Sequence, residues 1–121
     1  MASQATMTHA LRRLAQAFDA YALAQGWKRE DYRTFVRINE DWGQIHVIFV
    51  ARAFPGKHLE GQWSRVWDFV ERELEDDPGL AKVLHLVLRT FDEVAEGGLY
   101  AIGPDYAEVN DLLPVRPLVG K

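Results

Sequence analysis

From about Thr8 to Gln25, apolar residues return every third or fourth position: Leu11, Leu14, Ala15, Phe18, Tyr21 and Ala22. That spacing places them on one face of a helix, with Arg12, Arg13, Gln16 and Asp19 on the solvated side. Thr8 reads as the N-cap and Gly26 as the stop. The period then changes to two. In 31–40 the residues Tyr32, Thr34, Val36 and Ile38 share one face, and in 43–54 so do Ile45, Val47, Phe49 and Ala51. Two strands in sequence with a short connection form an antiparallel hairpin. An even number of connecting residues sets Ile38 against Ile45, Val36 against Val47 and Thr34 against Phe49, so the two apolar sets coincide. An odd loop without a bulge mixes the faces, and the even register is therefore expected.

Beyond Pro55-Gly56-Lys57 the helical period returns. Leu59, Trp63, Val66, Trp67, Val70 and Leu74 form a stripe over 59–75, in which Trp63 and Trp67 lie one turn apart and read as core. Asp77 before Pro78 reads as an N-cap with proline in the first turn. It opens a third predicted helix running to Glu96, with the stripe Leu80, Val83, Leu84, Val87, Phe91 and Val94. The segment 99–102 is compatible with a short third strand, and Pro114 and Pro117 make the tail extended. The expected fold is α+β: a hairpin or small antiparallel sheet of two to three strands with three amphipathic helices, in the order α-β-β-α-α with a final strand optional. The organisation read from this is a flexible 1–7, one domain over 8–112 and an extended 113–121.

Composition narrows the chemistry. The chain has 121 residues and a net charge of −4, with 48% hydrophobic and 26% charged residues, a balance suited to one folded domain. There is no cysteine, which removes disulfides, thiolate metal sites and cysteine nucleophiles from consideration and favours a cytoplasmic setting. No apolar run is long enough for a membrane span, and no secretory leader is indicated. Residues 1–53 carry seven Lys/Arg against five Asp/Glu, while 54–98 carry five against ten. An acidic chain of this kind lacks the concentrated basic footprint of a nucleic-acid binder.

No catalytic motif emerges. Ser3 and Ser64 are the serines available, and neither sits in a glycine-flanked turn. Gly97-Gly98 follows a predicted helix rather than opening one, and no Lys-Ser/Thr completes a phosphate loop. His9, His46, His58 and His85 are scattered, without metal-ligand spacing. The run Glu71, Glu73, Glu75, Asp76 and Asp77 spans a helix end and a helix start, where capping and solvation account for it better than a cation does. No metal and no cofactor is expected.

The second face of the hairpin is the feature that points outward. Arg33, Phe35, Arg37 and Asn39 alternate on one strand, and His46, Ile48, Val50 and Arg52 on the other, giving a small apolar centre ringed by three arginines and a histidine. Arginine forks hold carboxylates, and Arg-rimmed apolar patches suit protein recognition. The competing account is that a helix covers Phe35, Ile48 and Val50 while the arginine stems lie along its edge. The expected function is a non-catalytic interaction or adaptor module whose partner is another protein or a second copy, not nucleic acid or membrane. The site residues are Arg33, Phe35, Arg37, His46, Ile48, Val50 and Arg52. The alternative is a small-molecule-binding domain or enzyme with a pocket between sheet and helices, lined by Trp63, Trp67, Tyr100 and Tyr106. Trp42 in the hairpin turn is expected to fold back on the domain.

Overall fold

The computed structural model describes residues 4–39, 43–54, 60–92, 94 and 106–109, with side chains from His9 onward. The first helix, α1 (Gln4–Ala24), begins one turn before the expected cap, so Thr8 lies inside it. Its end follows the expectation. Gly26 sits at φ +78°, Gly26 N–H donates to the Leu23 carbonyl, and Trp27 N–H reaches back to Ala22 at 2.9 Å, the two-bond Schellman closure of a helix. A side chain at Gly26 meets the left-handed backbone penalty that glycine escapes.

A single 3-10 turn (Arg29–Asp31) leads into β1 (Tyr32–Asn39), which pairs antiparallel with β2 (Gln44–Ala51). Four residues connect them, and the register is the even one: Ile38 faces Ile45, Val36 faces Val47, Thr34 faces Phe49 and Arg37 faces His46. Then comes α2 (Glu60–Glu73), which turns Val66 and Val70 into the core. Asp77 caps α3 (Pro78–Lys82), its carboxylate accepting from the Leu80 N–H, with Pro78 in the first turn.

Here the structure departs from the periodicity. The expected helix to Glu96 stops after five residues, and the chain becomes β3 (Leu84–Thr90), parallel to β2, with Ile45, Val47 and Phe49 level with Leu84, Leu86 and Leu88. The segment 83–90 satisfies both periods. Its stripe Val83, Leu84, Val87 fits a helix, while Leu84, Leu86 and Leu88 alternate with His85, Val87 and Arg89 as a strand requires. Without β3 the backbone of β2 would lack a partner along one side, and pairing it decides between them. The strand β4 (Ala107–Glu108) adds antiparallel to β1, giving four strands in the order β3-β2-β1-β4 rather than two or three. The segment 99–102, Trp42 and the tail 113–121 lie outside the described residues.

The core fills one face of this mixed sheet. Leu14, Ala15, Phe18, Tyr21 and Ala22 of α1 meet Val66 and Val70 of α2, Val36 of β1, Val47, Phe49 and Ala51 of β2, and Leu84, Leu86 and Leu88 of β3. Phe49 is wholly buried within reach of Phe18, Tyr21, Trp27, Tyr32 and Phe54, with ring centres 4.8 to 6.2 Å away. One polar expectation changes. Asp19, placed on the solvated side by its helical phase, is buried, taking Arg29 Nε at 2.9 Å and the Tyr32 hydroxyl proton. Asp76 is exposed, as expected, and is bound by Arg13 of α1.

Phe49→Ala empties the centre of this ring cluster and should cost about 3–5 kcal/mol in urea unfolding, the range for large core truncations; a loss below ~1 kcal/mol overturns the assignment. Asp77→Ala should cost about 1 kcal/mol, because it strips the cap from a helix start next to the β3 crossover, and an unchanged midpoint refutes that role.

Candidate functional site

The sheet face away from α1 and α2 holds the residues singled out above. Strand register arranges them in rows that cross the sheet. One row runs Arg37, His46, His85 from β1 to β3; the next runs Glu108, Phe35, Ile48, Val87; a third runs Arg33, Val50, Arg89. Tyr106, just before β4, stands beside Arg37, whose guanidinium carbon lies 5.6 Å from the centre of its ring.

The apolar centre is covered by the chain itself. Phe35, Ile48 and Val50 are 8%, 5% and 0% exposed, packed against Phe91, Val94 and Tyr106. What stays accessible is the rim. Arg33 grips Glu108 through Nε and Nη2, at 2.8 Å for the shortest contact, and lies over the Phe35 ring. The hydrogen bond to Glu108, helped by its charge and opposed by burial, raises the arginine's pKa above its ordinary value. Arg52 sits 3.4 Å from Asp31 and 4.7 Å from the centre of the Phe91 ring. Between Arg33 and Arg52 opens a cleft of about 410 Å³, floored by Val50 and walled by Phe91, Asp92 and Val94.

At the other end, His46 and His85 stack with ring centres 5.2 Å apart and planes 23° from parallel. Burial first, then the charges of Arg37 and His85, lower the pKa of His46 from its ordinary value of 6.5. His46 Nε2 and Arg37 Nε are buried and make no hydrogen bond among the described residues. The seven expected residues therefore lie on one surface but divide into two charged ends, Arg33 with Arg52 and Arg37 with His46, separated by a closed apolar centre. The partners His85, Arg89, Phe91, Asp92 and Val94 escaped the helical reading of 77–96. The alternation of 84–90 was the one signal that could have placed the first two.

The alternative pocket does not assemble. Trp63 and Trp67 stack at 5.5 Å, but Trp63 is 37% exposed rather than core. Its indole N–H donates to the Leu86 carbonyl at 2.9 Å, on the side of β3 away from β2, where a cavity of about 340 Å³ is lined by Glu60, Trp63, Leu86, Val87 and Leu88. Trp67 packs on the helical side of the sheet, Tyr106 lies on the opposite face, and Tyr100 is outside the described residues. A third cavity of about 350 Å³ between α1 and α2 includes Tyr21, Gln62, Arg65 and Arg72. Burial raises the Tyr21 pKa, against the Gln62 hydrogen bond and the Arg65 charge, so its phenol holds its proton rather than serving as a base. Among the described residues no three His, Asp or Glu side chains are grouped to hold a metal ion, and no helix is long and apolar enough to cross a membrane.

Because folded His46 takes a proton less readily than the unfolded chain, its contribution to stability is present above the unfolded pKa of about 6.5 and is lost as pH falls through the lower folded value. Unfolding midpoints of wild type and His46→Gln, measured from about pH 7.5 down to about 5, should converge or cross toward acid as the wild type loses this increment. Parallel profiles rule it out.

No protein-family model, no curated protein and no solved structure matches this chain, and its function is read from the geometry above.

Proposed function

We propose that this chain is a non-catalytic interaction or adaptor module whose outer sheet face holds a carboxylate-bearing segment of a partner protein, which includes a second copy of itself. The observation that carries the reading is the open cleft between Arg33 and Arg52, with an apolar wall at Phe91 and Val94. Arginine is enriched in recognition surfaces, and its planar fork matches a carboxylate. Both arginines are held in place, Arg33 by Glu108 and Arg52 by the Phe91 ring and Asp31, which lowers the ordering cost of binding. Arg52 is the freer of the two, because its ion pair is long and solvated and contributes little.

Arg52→Glu tests this directly. Sedimentation reports self-association, and immobilised protein reports capture of a partner from lysate, each at low and high salt. Wild type should bind with an affinity that falls as salt rises, and Arg52→Glu should lose binding while its stability stays within about 0.5 kcal/mol. Arg12→Glu, an exposed charge reversal on α1, should change nothing. Equal association by wild type and Arg52→Glu in both assays sinks the reading.

A second reading, a small-molecule site, draws on the apolar cavity beside Trp63 and Leu86–Leu88. A quench or shift of tryptophan fluorescence by an apolar ligand, lost in Trp63→Leu, would favour it over the first.

A further inference from the structure

The row opposite the Arg33–Arg52 cleft carries its own unmet requirement. Arg37, His46 and His85 stand level on three adjacent strands, about 4.8 Å apart in the pairing direction, and so form a line of nitrogen-bearing side chains at even steps. Arg37 and His46 are half-buried and His85 is exposed, so the line opens to solvent at the sheet's β3 edge. Arginine Nε–H donates under all conditions, and a buried donor with no acceptor costs free energy until one arrives. Arg37 Nε is such a donor, and His46 Nε2 beside it is likewise unanswered among the described residues.

The carboxylates described on this face lie elsewhere. Glu108 is committed to Arg33 through three contacts, and Asp92 lines the far cleft. A metal ion fits poorly. Ring planes 23° from parallel do not bring two in-plane lone pairs to one point, and the Arg37 charge opposes a cation. An anion meets neither objection.

We propose that the row Arg37–His46–His85 is a carboxylate-binding site, the second anchor for an acidic segment lying across the outer face. One carboxylate bridges the guanidinium of Arg37 and the imidazole of His46, with His85 stacked behind. The site rests on the interaction reading above and extends it, since it would place two carboxylate anchors on opposite sides of the closed centre formed by Phe35, Ile48 and Val50. A planar monoanion with an apolar body suits it better than phosphate. The row borders the apolar centre, and its single guanidinium fork matches a planar carboxylate.

Binding is linked to protons. Among the described residues, Arg37 from β1 and His85 from β3 stand level with His46, and the other charged and titratable groups of the same sheet face are Arg33, Arg89, Tyr106, Glu108 and Asp92, the last in the far cleft. Burial first, and then the charges of Arg37 and His85, make free His46 resist protonation. A bound carboxylate reverses that field, raises both imidazole pKa values and is itself held more tightly as pH falls through the histidine range.

The experiment is an NMR titration of the His46 and His85 ring resonances against pH, on the full chain, with and without sodium benzoate, and separately with inorganic phosphate. Benzoate should raise the pKa of both rings saturably, and more than phosphate does at equal concentration. Arg37→Gln, checked for an unchanged amide spectrum, should weaken the benzoate effect by about ten-fold, the loss expected for one charge-assisted hydrogen bond. Rings that do not respond to benzoate overturn the site, and a stronger response to phosphate overturns the carboxylate assignment. Partner capture separates the two levels. If Arg52→Glu abolishes capture while Arg37→Gln leaves it intact and benzoate moves neither ring, the interaction reading stands and this site falls. If the rings respond to benzoate as expected but capture is indifferent to Arg52→Glu, the site stands as a carboxylate site and the cleft reading falls.

Discussion

The burial of Phe49 is the constraint on which the rest of this structure depends. Its ring is closed off from solvent by five other aromatic rings contributed by α1, the segment after it, β1 and the turn after β2. Such rings carry the largest apolar areas in the chain, and edge-to-face contacts add to their transfer free energy. Once Phe49 points to the helices, strand alternation leaves no choice for its neighbours. Val47 and Ala51 point inward with it, and His46, Ile48 and Val50 must line the other face. The outer surface is thus a geometric consequence of the core.

The same cluster explains how a carboxylate is tolerated inside. Asp19 follows Phe18 on α1 and is buried with it, a position that is unfavourable for an unpaired charge. Arg29 offers two nitrogens, at 2.9 and 3.2 Å, and the Tyr32 hydroxyl donates a further proton. Breaking one partner would strand the charge, so this network is a point of register between α1, the 3-10 turn and β1 rather than a source of net stability.

The outer face has the opposite character. Its centre is closed by residues that follow β3 and precede β4, while its two ends keep cationic side chains toward solvent. Arg33 is neutralised by a partner 75 residues away, whereas Arg37 has no carboxylate among the described residues. That asymmetry gives the surface a direction, with an ion-paired end at Arg33 and an end at Arg37 and His46 whose buried nitrogens make no hydrogen bond among the described residues.

How much of this was legible in the residues follows from the range of the forces involved. The Gly26 stop, the Asp77 cap and the parity of the β1–β2 hairpin are decided within a few residues, by left-handed backbone, an unpaired N–H and alternation across a short connection, and each was readable locally. Asp19 and Trp63 were misplaced because helical phase tells which side a residue is on, not what meets it there. The segment 84–90 was misread for a deeper reason. Its apolar positions fit periods of 3.6 and of 2 at once, and only β2, some forty positions earlier, supplies the unpaired backbone that makes a strand the better solution. The outer face inherited that ambiguity: Arg33, Phe35, Arg37, His46, Ile48, Val50 and Arg52 could be assigned to it from alternation alone. The stacking of His46 on His85, the Arg33–Glu108 pair and the covering of the apolar centre required the third dimension, because side-chain contacts between distant segments exist only once strand order is set.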